Sequence, residues 1–134
     1  MTTSSQIKIV KESTLETQKI IQELLEITSR QQSSMKDLSE KSASKNLDEI
    51  KDTKERLKKQ IQHERKLMKK VESILNKQEK TLQQDRNPDN SDVANEVRAL
   101  LVMISNQNQS VRVLKATLLS LDIRIEHLEK TILK

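Results

Sequence analysis

Hydrophobic residues recur at alternating spacings of three and four along the last third of the chain, from Val93 to Ile132. Eleven of the twelve positions in this series are aliphatic, and the other one is Gln107. A pattern kept over more than five heptads is typical of a helix that buries one stripe against other helices. The sequence therefore predicts a coiled-coil helix over 92–134. We expect it to bind partner helices through Val97, Leu100, Leu101, Ile104, Gln107, Val111, Leu114, Leu118, Leu121, Ile125, Leu128 and Ile132.

Turn-forming residues precede this helix. The segment 85–91 contains the only proline of the chain, Pro88, among Asn, Asp and Ser residues. Proline disfavours the helical conformation in the residue before it and cannot continue a helix that arrives from upstream. We predict a turn over 85–91, with Ser91 or Asp92 capping the helix that follows.

A second heptad pattern covers 47–84, where eight of the eleven seam positions, meaning the a and d positions of the heptad, are apolar. Asn46 and Glu49 have the spacing of a capping box, with Asn in the place of Ser or Thr. This helix is close in length to the last one and is joined to it by a short polar segment. That combination predicts an antiparallel hairpin of the second and third helices.

The first helical segment, 7–40, has the weakest pattern, because only six of its ten seam positions are apolar. Its register is displaced by five residues from that of the second helix, and local unwinding absorbs insertions of three or four. We therefore predict a break over 41–46, with one bent helix as the alternative, and a flexible N-terminus over 1–6.

The predicted fold class is all-α, with three long, elongated coiled-coil helices. The sequence leaves open whether the first helix packs on the hairpin or on another chain.

The composition removes most kinds of active site. The chain has no Gly, Cys, Phe, Trp or Tyr, so it has no glycine-rich phosphate loop, no cysteine zinc site and no aromatic platform for bases. Its two histidines, His63 and His127, lie far apart in the sequence, so they do not form a helical zinc pair. We therefore expect no enzymatic activity, no cofactor and no metal site.

Most of the net charge of +5 belongs to the second helix. The segment 47–84 has 11 Lys or Arg and 7 Asp or Glu, which gives +4. A basic helix is a candidate contact for an anionic surface, such as an acidic protein, a lipid headgroup layer or nucleic-acid phosphate. Because the chain has no groove-reading motif, we do not expect nucleic acid to be its main partner. The candidate contacts are Lys58, Lys59, Arg65, Lys66, Lys69 and Lys70.

The third helix also has aliphatic residues outside its seam, among them Val113, Leu119 and Ile123. A two-stranded coiled coil would leave these side chains in water, so we expect the helix to contact more than one neighbour. The sequence predicts a non-catalytic scaffold subunit of a larger complex, of the kinetochore, microtubule-associated or organelle-tethering type, by analogy of architecture. The alternatives are a basic adaptor on an anionic surface and a self-contained three-helix or homodimeric spacer.

The expected partners are other coiled-coil proteins, with a hetero-oligomer favoured and a homodimer possible in principle. No apolar run approaches the roughly 18–20 residues that cross a bilayer, and residues 1–6 lack the features of a secretory signal. We therefore expect an intracellular protein, cytoplasmic or nuclear, that is neither secreted nor transmembrane and touches a membrane only peripherally.

Overall fold

The computed structural model describes residues 4–40, 46–83 and 91–131. These residues form three α-helices, α1 (Ser4–Glu40), α2 (Leu47–Gln83) and α3 (Ser91–Thr131), and the described ranges contain no strand. Helices of this length are compatible with a sequence that has no Gly and has its only Pro between the second and third hydrophobic patterns. The all-α prediction is confirmed, and α2 contacts α3.

The helix bounds differ from the predicted ones mainly at the N-terminus. Helix α1 already begins at Ser4, inside the segment 1–6 that was predicted to be flexible. The predicted break and turn lie outside the described residues except for Asn46, which is not helical, and Ser91, which begins α3. Ile132 also lies outside the described residues.

Asn46 caps the N-terminus of α2. Its side-chain Oδ1 accepts a hydrogen bond from the backbone N–H of Asp48 at 2.9 Å, and its backbone oxygen accepts one from the N–H of Ile50 at 3.1 Å. The acidic residues Asp48 and Glu49 occupy the first turn of the helix, where the helix dipole favours negative charge. The start of α2 is thus fixed by local sequence.

Two threonines show how polar residues occupy the seam of α1. The Thr14 hydroxyl donates to the backbone oxygen of Val10 at 2.7 Å, and the Thr17 hydroxyl donates to that of Ser13 at 2.8 Å. Both side chains are almost completely buried. Because the hydroxyl is satisfied by its own helix, burial leaves no unpaired donor, and the methyl group can join the core.

The chain divides into two compact units. Unit 1 consists of Met1–Gln22 and Met68–Arg112, and unit 2 consists of Glu23–Leu67 and Val113–Lys134. Each helix contributes one segment to each unit.

In unit 1, segments of all three helices share one hydrophobic core. Helix α1 therefore packs on the other two helices in unit 1. The sequence had left open whether it packs on these helices or on another chain. The buried core residues are Ile7, Val10 and Ile21 from α1, Val71, Leu75 and Leu82 from α2, and Val97, Leu100, Ile104 and Val111 from α3.

In unit 2, the buried apolar residues again occupy a and d positions of the heptad patterns, whereas Leu47 at the start of α2 is 54% exposed. The Thr28 hydroxyl of α1 donates to Glu64 of α2, and α2 forms ion pairs with α3, so each segment contacts another. The buried apolar residues are Leu24, Met35 and Leu38 from α1, Ile50, Leu57 and Ile61 from α2, and Leu114, Leu118, Leu121, Ile125 and Leu128 from α3.

Candidate protein-interaction surfaces

The residues of α3 that the sequence predicted to bind partner helices lie inside the chain's own units. In unit 1, Leu101 is partly buried against the core, and its neighbours on the seam are fully buried. In unit 2, the five seam residues from Leu114 to Leu128 are buried as well. Their side chains are thus covered by the protein itself, and a role in binding another chain stays a prediction.

Gln107, the polar exception on that seam, is buried in unit 1 and is bound to α1. Its Nε2 donates to the backbone oxygen of Thr14 at 3.0 Å and to Oε1 of Gln18 at 3.1 Å. Its own Oε1 is buried and has no hydrogen-bond partner among the described residues. A polar group of this kind on a seam favours one pairing of helices over shifted ones, because a shifted pairing would leave its donors unpaired.

Large aliphatic side chains outside the seam remain in contact with solvent. In unit 2, Leu119 and Ile123 are 58% and 59% exposed. They are four residues apart on α3, so they are adjacent on the helix surface. In unit 1, Val102 of α3 and Ile9 of α1 are exposed to a similar degree.

Two of the six predicted anionic-surface contacts are already paired within unit 2. Nζ of Lys58 lies 3.0 Å from Oε1 of Glu129, and Arg65 forms an ion pair with Asp122. The hydrogen bond and charge of Glu129 raise the pKa of Lys58. The other four residues, Lys59, Lys66, Lys69 and Lys70, have exposed side chains.

A groove between α1 and α2 of unit 2 has a polar floor. It encloses a volume of about 570 Å³, and it is lined only by residues of these two helices. Gln31 and Glu64 form its floor, and each is only 2% exposed. The other residues that line it are Ile27, Arg30, Ser34, Lys59, Gln60 and His63.

The floor of this groove contains polar atoms that have no partner. Oε2 of Glu64 accepts the Thr28 hydroxyl at 2.7 Å, but its Oε1 has no hydrogen-bond partner among the described residues. Oε1 of Gln31 likewise has no hydrogen-bond partner among the described residues. Burial raises the pKa of the Glu64 carboxyl, while Thr28, Gln31 and His63 act in the opposite direction. The Gln31 amide lies close enough to the Glu64 carboxylate to lower its pKa as a hydrogen-bond donor, so these two floor residues interact with each other.

A second groove between α1 and α2, in unit 1, is smaller and more apolar. It has a volume of about 320 Å³, and the side chains of Ile9 and Ile74 line it. Gln78 of α2 donates to the hydroxyl of Ser13 of α1 at one side of it. Lys77 is the one charged residue among those that line it.

The sequence did not identify Gln31 and Glu64 as parts of one site. Each occupies a d position of its heptad pattern, and a polar residue at a d position in each of two helices is the signal that could have joined them. Periodicity assigns a residue to a face of its helix, but it does not say which residue of another helix lies opposite.

In the ranges 4–40, 46–83 and 91–131, no three His, Asp or Glu residues are grouped so that they could hold a metal ion. No helix within those ranges combines the length and the apolar character that a membrane crossing requires.

Comparison with known proteins gives no relative. No protein-family model, no curated protein and no solved structure matches the chain.

Proposed function

We propose that this chain is a non-catalytic helical scaffold subunit of a larger protein complex, of the kinetochore, microtubule-associated or organelle-tethering type. One observation carries the proposal. The described seam residues of α3 from Val97 to Leu128 are buried within the chain, while the aliphatic pair Leu119 and Ile123 lies outside the seam and is exposed. A helix that stabilises its own fold with one face and presents aliphatic side chains on another is suited to joining other helices.

We propose further that α2 and α3 form an antiparallel coiled-coil hairpin. The two ion pairs of unit 2 support this orientation. Lys58 pairs with Glu129, and Arg65, seven residues later in α2, pairs with Asp122, seven residues earlier in α3. Contacts that advance along one helix while they retreat along the other are those of antiparallel neighbours. The heptad spacing of the buried positions supports coiled-coil packing.

In this proposal Leu119 and Ile123 contact the seam of a partner helix. The partner is another coiled-coil protein, because two aliphatic side chains one helical turn apart match the spacing of a and d residues on a facing helix. Such contacts depend on apolar burial, at roughly 25 cal/mol for each Å² removed from water, and so depend little on salt.

The test is recovery of the native complex with the tagged full chain and with the double variant Leu119→Lys, Ile123→Lys. We expect the variant to fold and to lose the co-purifying helical partners, and we expect crosslinks of the wild type to map beside these two residues. The matched control is Val102→Lys, an equally exposed aliphatic position on α3 of unit 1. Equal recovery from all three chains would contradict the proposal.

The basic-adaptor alternative depends on the exposed lysines of α2, such as Lys66 and Lys70. A phosphate or carboxylate surface bound by these residues should be released between low and moderate salt. A complex that is stable to 0.5 M salt (on the order of the range in which surface ion pairs are screened) and is lost in the Leu119/Ile123 variant favours the scaffold.

The self-contained spacer is favoured by a different observation. In unit 1 a single chain supplies three helical segments to one core, so no partner is needed to cover that seam. Light scattering separates the two functions. A monomer that melts cooperatively and captures no partner from native extract would support the spacer.

A further inference from the structure

We propose that the outer face of α2, the side of the helix opposite its seam, binds the phosphate backbone of double-stranded nucleic acid without reading the base sequence. This contact goes beyond the scaffold function and does not rest on it. It gives the chain a second surface, one that is made of charge, beside the aliphatic surface of α3.

A row of basic side chains follows this face. Starting at Arg56, the positions opposite the seam recur in steps of three and four, and Lys or Arg occupies six of the first eight. All eight side chains are exposed. This basic row consists of Arg56, Lys59, His63 and Lys66 in unit 2, and of Lys70, Ser73, Lys77 and Lys80 in unit 1.

The acidic residues of the same stretch lie elsewhere on the helix. Between residues 56 and 80 they are Glu64, Glu72 and Glu79, and none of them is a position of the basic row. Glu64 is buried on the seam, and the other two are half-buried. The mixture of charges in the sequence is therefore sorted by the helix, and the exposed row has no negative charge.

The cations of the row are available to a ligand. Lys58 and Arg65 lie off the row and are paired with acidic residues of α3. None of the Lys and Arg side chains of the row forms an ion pair with another residue in the described ranges. A phosphate group can thus replace the small counterions of these cations without breaking a contact of the fold, and the release of counterions favours binding.

The composition of the row decides against a protein or a membrane as its ligand. Protein–protein interfaces have a core that is enriched in aromatic side chains and depleted of charge. A helix that lies on a membrane has aliphatic or aromatic residues that enter the lipid beside its basic face. The eight positions of the basic row include neither aliphatic nor aromatic residues.

Nucleic acid fits a surface of this kind. Neutralisation of phosphates by Lys and Arg is by itself sufficient for sequence-independent binding, and such interfaces are far more positively charged than those between proteins. The isoelectric point of the chain is about 9.5, which is above the value of roughly 9 that is typical of nucleic-acid-binding domains.

The residue types also select a duplex and exclude base reading. Five of the six charged positions of the row are lysines, which bind phosphate as point charges, whereas bidentate arginine and amide side chains read bases. The chain has no aromatic residue on which the bases of a single strand could stack. A duplex also presents more charge for each unit of length than a single strand does.

The test is binding of a fluorescein-labelled DNA duplex of about 20 base pairs, two helical turns, to the full chain, followed by fluorescence anisotropy. The salt concentration is varied from about 0.05 M to about 0.2 M. We expect the logarithm of the binding constant to fall linearly with the logarithm of the salt concentration, with a slope of about −3 or steeper, since each phosphate contact contributes about −0.9. Two duplexes of unrelated sequence should bind equally.

Variants of the chain locate the contact on the basic row. The double variant Lys70→Gln, Lys77→Gln should bind more weakly and reduce the steepness of the slope by about 2. The matched control is Lys11→Gln, Lys19→Gln, which removes two exposed lysines from α1 of unit 1 and gives the same net charge. This control should bind the duplex as the wild type does.

Ser73→Lys tests the row by adding a contact. Ser73 is an exposed gap in the row, so a lysine there should tighten binding and steepen the slope by about 1. All of these substitutions are at exposed positions, and circular dichroism checks that each variant folds. A gain of binding cannot result from a loss of folding.

Several results would overturn the inference. They are the absence of binding, a slope shallower than about −3, equal weakening by the α1 control and the α2 double variant, and no gain from Ser73→Lys. Tighter binding to phosphatidylserine vesicles or to poly-glutamate than to the duplex, at the same salt concentration, would assign the face to a membrane or to an acidic protein. The scaffold function fails separately, when the Leu119/Ile123 variant still recovers every native partner.

Discussion

The hydroxyl of Thr28 in α1 donates a hydrogen bond of 2.7 Å to Oε2 of Glu64 in α2, and both side chains are buried. This contact joins a polar seam position of α1 to a polar seam position of α2. It satisfies one oxygen of the carboxylate and leaves the other without a partner. A buried carboxyl in this environment is easier to keep protonated than a carboxyl in water, and burial raises its pKa accordingly.

Glu64→Gln should stabilise the protein at neutral pH, by about 1 kcal/mol. The substitution removes the cost of a buried negative charge and keeps an acceptor for the Thr28 hydroxyl. The free energy of unfolding at pH 7 can be measured by urea denaturation. Glu64→Leu is the control. It removes the charge and the acceptor together, so it should raise the free energy of unfolding by less than Glu64→Gln.

The same residue should make stability depend on pH. Since the folded-state pKa of Glu64 is raised, its stabilising contribution is complete below the unfolded pKa, near 4.5, and is lost as pH rises through the folded-state pKa. The difference in melting temperature between Glu64→Gln and the wild type should therefore grow as pH rises above about 4.5. A difference that stays constant from about pH 4 to about pH 8 would contradict this assignment.

Leu118 and Leu119 are a matched pair that tests the assignment of faces on α3. Leu118 is fully buried and Leu119 is 58% exposed. Leu118→Ala should lower the free energy of unfolding by about 2–5 kcal/mol, because it leaves a cavity. Leu119→Ala should change it by less than about 0.5 kcal/mol. Similar losses for the two variants, measured by urea denaturation, would show that the faces are wrongly assigned.

Charge reversal tests the pairing of Lys58 with Glu129, whose atoms Nζ and Oε1 lie 3.0 Å apart. Lys58→Glu and Glu129→Lys should each destabilise the protein, and the double variant should recover part of the loss. Because both side chains are partly exposed, the coupling should be on the order of 0.5 kcal/mol and should shrink in high salt. A double-mutant cycle with no coupling at low salt would count against this pairing.

Gln107→Leu should raise the stability of unit 1 and make the pairing of its helices less specific. The Gln107 amide is bound to the Thr14 carbonyl and to Gln18, but its own oxygen is buried without a partner. Leucine removes that unsatisfied oxygen, so thermal melting should shift upward. Light scattering should then detect oligomers that the wild type lacks, since a polar seam residue opposes alternative pairings. A variant that is less stable and still of one size would show that the amide is mainly a stabilising group.

The sequence by itself determined which face of each helix is buried. A spacing of three and four brings one stripe of a helix to one side, so burial of Leu118 beside an exposed Leu119 follows from periodicity alone. The start of α2 was also determined by local sequence, because the side chain of Asn46 caps the helix. Even the polar seam residue Thr14 could be buried as the register required, since its hydroxyl bonds to its own helix.

Only the tertiary structure decided which polar residues meet. Periodicity placed Glu64 on the seam of α2, but its contact with Thr28 and its proximity to Gln31 depend on how α1 lies against α2. That register is set by the packing of many side chains from distant parts of the chain, and no short stretch of sequence contains it. The polar floor of the groove and the amide contacts of Gln107 therefore became visible only when the helices were seen together.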